Sequence, residues 1–467
     1  MISRKQKIYI NDSSISSSFS CPIGLRQGCK LSPILFAMYI NELHTFLENQ
    51  NTRGVQLFPD ITEIFMLMFA DDVGLISDTI FGLQRQLNGL QNFCEINKLT
   101  VNIEKTKVLV FKRGGRLSNR ERWTYCGKIL EVVNGFTYVG VLFTNRLSLY
   151  KMAEAMALKA KRVLAHLFSS FSELTCLPVR TFFKVFDSKV SSVLLYGSEI
   201  WGLHHMQCIE KVHIHACKRV LNVSDSACNN AVMGDLGRYP MHINTAKRCM
   251  KYWLRILKLP NHRYPKLCYE MLKYYDANGY KNWVTDIRNN LYMNGYGYIW
   301  EAQSANNERL FLLNYTQRLK DQYMQNWRSI CVDSRKLCTY KDFKINFGRE
   351  VYIDTIEIGK FRKCMISFRA SCHNLMIEKG RHFNLLLEDR QCVYCETSIE
   401  DEFHFVMKCP LYMYTEIRQK FIDDTYVEST SYMKFCDLMS STNETVLRNL
   451  AMYLYNAFEI RKAFLQC

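Results

Sequence analysis

No apolar run in this chain approaches the ~20 residues that a membrane-spanning helix needs, so the sequence reads as having no membrane partner. Behind the opening Met-Ile-Ser-Arg-Lys-Gln-Lys there is no apolar segment, so the start does not read as a secretory signal. Proline is scarce, at 8 residues, and glycine stands at 21, which excludes collagen-like and Pro/Gly-rich disordered chains. There is neither an internal repeat nor a low-complexity tract. Acidic residues are also short: 44 Asp and Glu face 61 Lys and Arg, leaving a net charge of +17. The first 150 residues carry +5 and the other 317 carry +12, so the excess follows length and no basic tail explains it. A positive field over a large folded body suits a polyanion such as nucleic acid. A soluble basic protein without such a partner fits the charge equally well.

At 467 residues the chain has room for about three domains. Its 19 cysteines, with no secretory signal, fit a reduced intracellular compartment, where most act as small buried hydrophobes. Residues 1–147 mix strand and helix signals. Arg4–Ile10 reads as a short strand. Ser32-Pro33 reads as a cap with proline at the first helical position, and Phe36, Ile40, Leu43 and Leu47 then mark one helix face. The apolar runs Ile64–Ala70 and Val73–Ile76 flank Asp71-Asp72 as two strands at a tight turn. Phe81–Ile96 is helical by period, and Thr100–Ile103, Lys107–Phe111 and Phe136–Leu142 are strand candidates. Helical periodicity dominates residues 148–330, beginning at Leu149, Met152 and Met156. Residues 331–467 hold a Cys/His group and end in a helix over Thr445–Phe464, with Asn443 as its cap. The expected fold class is α+β, with a partial antiparallel sheet plus helices, then a mostly α-helical region and a small Cys/His module.

Two adjacent carboxylates on a turn between apolar strands sit at a sheet edge. Oxygen ligands of this kind suit Mg²⁺, which takes one or two carboxylates together with substrate phosphates. Alone, Asp71-Asp72 fits an ordinary acidic turn as well. Upstream, Gly24-Leu-Arg26-Gln27-Gly28 puts a glycine-flanked Arg-Gln before a helix, where backbone can approach a base or phosphate. Downstream, Asn102, Lys105 and Lys107 lie beside a strand candidate, where a lysine can act on a phosphate or as a proton donor, or simply mark a solvated edge.

In this order and at these intervals, GLRQGCKLSPILF, FADD, LTVNIEKTKVLVF and FTYVG resemble the successive palm motifs of a non-LTR (LINE-type) retrotransposon reverse transcriptase. The resemblance implies an RNA-directed DNA polymerase working by two-metal nucleotidyl transfer. In it Asp71 and Asp72 hold Mg²⁺ beside Phe69 and Ala70, while Arg26, Gln27 and Gly28 meet template and incoming dNTP. Asn102 and Lys105 lie at the triphosphate, with Lys105 as general acid, and Phe136, Tyr138 and Gly140 form the primer grip. It also implies a palm over 1–147 and a thumb and linker over 148–330, with Val193–Gly202 resembling the thumb. The implied partners are an RNA template, a DNA primer or target, and an upstream part of the same polyprotein. The implied place of action is intracellular and nuclear. The family's first catalytic aspartate lies on an apolar strand well before the Gln-Gly element. Here only Asp12 precedes Gly24, in a polar turn. The sequence as written is therefore expected to lack polymerase activity, and a non-catalytic nucleic-acid-binding remnant is the alternative.

Cys392, Cys395, His404 and Cys409 follow a C-x2-C-x8-H-x4-C spacing. Three thiolates and an imidazole make a closed tetrahedral site, so the expected metal is a structural Zn²⁺. Buried free thiols are the alternative. Phe368-Arg369, Glu378–Arg381, Glu400–His404 and Cys409-Pro410 resemble the zinc knuckle that follows the thumb in LINE-type proteins, over 392–409. His213 and Cys217, four apart on a helical stretch, are a weaker pair for a second metal.

Overall fold

The computed structural model describes residues 29–466 apart from 59–61, 113, 116, 119, 173–177, 205 and 428–430, together with the short strands at 4–6, 9–11, 14–15 and 19–21. The chain divides into two compact units, Met1–Ser148 and Leu149–Cys467. Among the described residues no helix is long and apolar enough to cross a membrane.

The first unit is α+β. Where one strand was expected over Arg4–Ile10, two short ones form: Arg4–Gln6 pairs with Phe19–Cys21, and Tyr9–Asn11 with Ser14–Ile15. Helices Ser32–Ile40 and Glu42–Glu48 follow, and the expected apolar face runs through the break between them. Ile40, Leu43 and Leu47 are buried with Leu87, Leu90 and Phe93 of the helix Ile80–Ile96 in one core. Burying a leucine of this kind is worth about 1.5–3 kcal/mol. Ser32 is not the cap: it is the first helical residue, Leu31 takes the cap position, and Pro33 sits in the first turn as its fixed φ allows. Helix Ile80–Ile96 is capped instead by Thr79, whose Oγ1 accepts from Gly82 N at 3.0 Å.

Strands Met66–Phe69 and Asp72–Leu75 form the expected hairpin. Gly135–Tyr138 and Val141–Thr144 form a second one, so the stretch read as one strand over Phe136–Leu142 turns back at Val139-Gly140. Those residues have φ of 46° and 81°. Two consecutive left-handed residues are the pattern of a tight primed turn, which matches the strand twist. Lys107–Leu109 is a strand, parallel to Glu131–Val133. Thr100–Ile103 is not: Asn102 closes a turn there, with its Oδ1 accepting from Lys105 N (3.1 Å) and its carbonyl from Thr106 N (3.0 Å). A side chain that bonds its own backbone offers an alternative to the sheet ladder, and here it wins.

The second unit is helical. Leu149–Ser172 opens it and Glu444–Phe464 closes it, the latter capped by Asn443 Oδ1, which accepts from Thr445 N and Val446 N. One apolar core gathers Trp253, Tyr269, Ile287, Trp300 and Tyr315. Elsewhere Asp235 is wholly buried and accepts from Arg369 Nε (2.7 Å), Tyr340 Oη (2.9 Å) and Tyr352 Oη (2.8 Å). Arg369, also buried, donates to Met439 O at 2.6 Å and pairs with Glu350 at 3.0 Å. Segments on either side of residue 330 are thus joined through one polar network.

Candidate functional site

The turn between Met66–Phe69 and Asp72–Leu75 consists of Ala70 and Asp71, with Phe69 paired to Asp72 across it. Ala70 has φ of 55°. An L-residue with a Cβ in the left-handed region costs about 1–2 kcal/mol, yet alanine rather than glycine stands there. Asp71 and Asp72 are exposed, and neither carboxylate makes a hydrogen bond or ion pair among the described residues. Phe69 is exposed as well. Two adjacent carboxylates with open lone pairs at the tip of a hairpin are suited to bind a hard divalent cation.

The second hairpin lies against the first. Tyr138 Oη reaches Leu67 O at 3.5 Å, and a Cβ on Gly74 would stand 3.7 Å from the Tyr138 ring. A side chain at 74 would thus meet the tyrosine at ordinary van der Waals distance. Burial, helped by the charge of Asp72, pushes the Tyr138 hydroxyl above its usual pKa. Of the residues expected at the primer grip, Phe136 and Tyr138 are half-buried, and Gly140 is exposed at the turn. Asn102 holds the turn that presents Lys105, which is exposed. Lys107 is committed to Glu131 at 2.7 Å. Arg26, Gln27 and Gly28 lie outside the described residues.

The Cys/His group assembles in the second unit. Cys392, Cys395 and His404 bring one ligand atom each to within 4.8 Å of one another. Cys395 Sγ lies 3.5 Å from His404 Nε2, and Cys409 Sγ joins through Cys392 Sγ at 3.8 Å. With Zn–S near 2.3 Å and Zn–N near 2.0–2.1 Å, a tetrahedron has S–S and S–N edges of about 3.8 and 3.5 Å. Those two spacings match, and Cys392, Cys395 and His404 fit such an ion; Cys409, expected as the fourth ligand, meets Cys392 but stands outside the group whose ligand atoms all lie within 4.8 Å of one another. The hydrogen bond between Cys392 and Cys409 holds the Cys392 thiol below its ordinary value, against the opposing effect of burial. The same bond pushes Cys409 up. A thiol held low favours the thiolate, the form a metal binds.

Local structure explains the placement. Cys392 N bonds to Ser398 O (2.8 Å) and Glu396 N to Cys392 O (2.9 Å), which turns the CxxC loop back on itself. Asp401 Oδ1 accepts from His404 N at 2.7 Å, and Cys409 N bonds to His404 O at 2.8 Å. Buried Arg418 donates to Val406 O and Cys409 O, both at 2.8 Å. Glu400 is clamped by Arg461 at 2.6 and 2.7 Å. Arg418, Arg461 and Asp235 carry no signal in the sequence; their partners lie 9 to 134 residues away, at no motif spacing. The weaker metal pair fares differently. His213 and Cys217 are buried on the helix Gln207–Val220, but His213 Nε2 faces Arg238 Nε at 3.4 Å. Neither belongs to a metal-capable group of three among the described residues.

Residues 4–143 match the reverse transcriptase (RNA-dependent DNA polymerase) family. Over 128 residues, 26% of the chain, the sequence is 30% identical to the Retrovirus-related Pol polyprotein from type-1 retrotransposable element R2 of Popillia japonica. The matched stretch is 21% of that relative, so the chain spans about a fifth of its length. The two hairpins described above fall almost entirely within the matched residues, so this stretch is similar to the reverse transcriptase family.

Proposed function

We propose that this chain belongs to the RNA-directed DNA polymerase of a non-LTR retrotransposon and handles an RNA template, a DNA primer and dNTPs. The observation that carries the reading is the exposed Phe69-Ala70-Asp71-Asp72 turn, with Tyr138 lying beside it. Asp71 and Asp72 would hold Mg²⁺, and such ions activate the primer 3′-hydroxyl and stabilise the leaving pyrophosphate. Arg26, Gln27 and Gly28 contact template and nucleotide, Asn102 fixes the turn that carries Lys105, and Lys105 protonates or steadies the pyrophosphate. Phe136, Tyr138 and Gly140 hold the primer end near the carboxylates. Cys392, Cys395, His404 and Cys409 would hold a structural Zn²⁺ that stabilises the surrounding loops. Synthesis primed on chromosomal DNA places the activity in the nucleus, beside an upstream part of the same polyprotein.

A metal pair of this kind takes three carboxylates, and the chain supplies two at the hairpin. Asp12 is the sole acid before Gly24. A second reading is that the chain binds nucleic acid without extending it. Primer extension on an RNA template with Mg²⁺ separates the two. The expected result is binding without extension. Extension by the natural chain that Asp71→Asn abolishes shows a complete active site and refutes the expected inactivity. No binding to RNA or to a primed template sinks both readings.

A further inference from the structure

The second unit carries a cavity of about 590 Å³ that neither the acidic hairpin nor the Cys/His cluster uses. Its walls come from the helices Gly359–Arg369, Met376–His382 and Glu444–Phe464. Phe361 meets Tyr455 edge to face at 5.2 Å, and Phe368 meets Phe458 at 6.3 Å, which locks the first helix to the last. Each helix contributes lysine to the wall: Lys360 and Lys363, Lys379, and Lys462. Lys360, Lys363 and Lys462 are exposed and Lys379 is half-buried. None of the four has an ion pair among the described residues. The Lys360 ammonium lies over the Tyr455 ring at 4.7 Å, which fixes its position.

The remaining charges do not offset them. Arg461 lines the cavity, but both its bonds go to buried Glu400. Glu459 is the one acid in the wall. His373, also in the wall, bonds Glu402 through Nε2 at 2.9 Å, and its buried Nδ1 has no partner. Four ammonium groups thus converge on one cavity against a single carboxylate, and their mutual repulsion is left for a bound anion to relieve. Lysines distributed over three helices present separate point charges rather than one planar fork. That arrangement suits successive phosphates of a strand better than a single bidentate anion.

We propose that this groove binds the phosphodiester backbone of a single nucleic-acid strand, with Lys360, Lys363, Lys379 and Lys462 reaching its phosphates. The proposal goes beyond the polymerase reading and stands without it. The test uses the full chain, with labelled RNA and DNA oligonucleotides of one sequence titrated at several salt concentrations. Removing one lysine that neutralises a phosphate of a single strand lowers the slope of log affinity against log salt by about 0.7. The triple variant Lys363→Ala/Lys379→Ala/Lys462→Ala should therefore reduce the slope by about 2 and the affinity roughly 100-fold at 0.1 M salt. Lys251→Ala/Lys281→Ala/Lys420→Ala, which removes equal charge from exposed positions outside the groove, should keep the slope. The arginine triple at the groove should restore it. Weaker binding of RNA alone, of DNA alone or of both supports the proposal and names the strand. An unchanged slope, an equal drop in the control triple, or displacement of the strand by equimolar pyrophosphate overturns it. Should the triple variant fold poorly, Lys363→Ala alone must still lower the slope by about 0.7. Primer extension tests the polymerase reading by itself, so its failure is distinguishable from an unchanged slope here.

Discussion

Replacing Arg369 by methionine removes the cation at the centre of the second unit's polar network while keeping much of its apolar volume. Arg369 makes two bonds to Asp235 (2.7 and 3.2 Å) and one to Met439 O (2.6 Å), and it pairs with Glu350 at 3.0 Å. It also lies over the rings of Phe343 and Tyr352, at 4.8 and 5.2 Å. Without it, Asp235 stays wholly buried, with the hydroxyls of Tyr340 and Tyr352 and the more distant charge of Lys344 left to meet it. Removing one partner of a buried pair costs about 3–5 kcal/mol, because an uncompensated charge remains. Five of the six tryptophans, at 201, 253, 283, 300 and 327, lie in this unit, so tryptophan fluorescence in urea reports mainly its unfolding. The expected shift for Arg369→Met is about 3–5 kcal/mol. The double variant Asp235→Asn/Arg369→Met should cost clearly less than the sum of the two singles, since neither charge is then stranded. The sign with pH follows from Asp235. Burial alone would raise its pKa, but Arg369 outweighs this and holds it below the ordinary carboxylate value. The pair's contribution is therefore full above the unfolded value near 4 and is lost as pH falls through the lower folded value. A destabilisation under about 1 kcal/mol for Arg369→Met, or strict additivity in the double variant, refutes the reasoning.

Three further outcomes are expected. Metal analysis of the purified chain should find one zinc per molecule, absent in Cys392→Ser, and a chelator should lower the melting temperature of the natural chain but not of that variant; a metal-free natural chain refutes the zinc reading. Val139→Asn should stabilise the first unit by about 1 kcal/mol, because asparagine tolerates the left-handed region at φ 46° and valine does not; a lower melting temperature would show that the valine side chain's packing outweighs its strain. Asn443→Ala removes the acceptor for Thr445 N and Val446 N and should cost about 1 kcal/mol in thermal unfolding, whereas Asn443→Asp should be nearly neutral.

What was legible in the sequence was local or periodic. The face Ile40, Leu43, Leu47 was readable because apolar side chains three and four apart must share one side of a helix. The acidic hairpin was readable because two apolar runs flank a break too short for anything but a turn. The meeting of Cys392, Cys395 and His404 was readable because metal chemistry constrains ligand type and interval together. The errors were local too. Ser32 does not cap its helix, and Asn102 bends a stretch whose composition suits a strand, since capping and self-bonding geometry depend on dihedrals that composition does not fix.

By itself, then, the amino-acid order determined the α+β beginning, the helical remainder, the twin carboxylates and the cysteine-histidine set. Only the tertiary structure decided that Asp235 meets Arg369 across 134 residues and that Arg461 clamps Glu400 across 61. It also decided that lysines from three separate helices converge on one cavity. Such meetings are set by how helices pack, and packing is a property of whole surfaces filled in three dimensions. No interval along the chain encodes it.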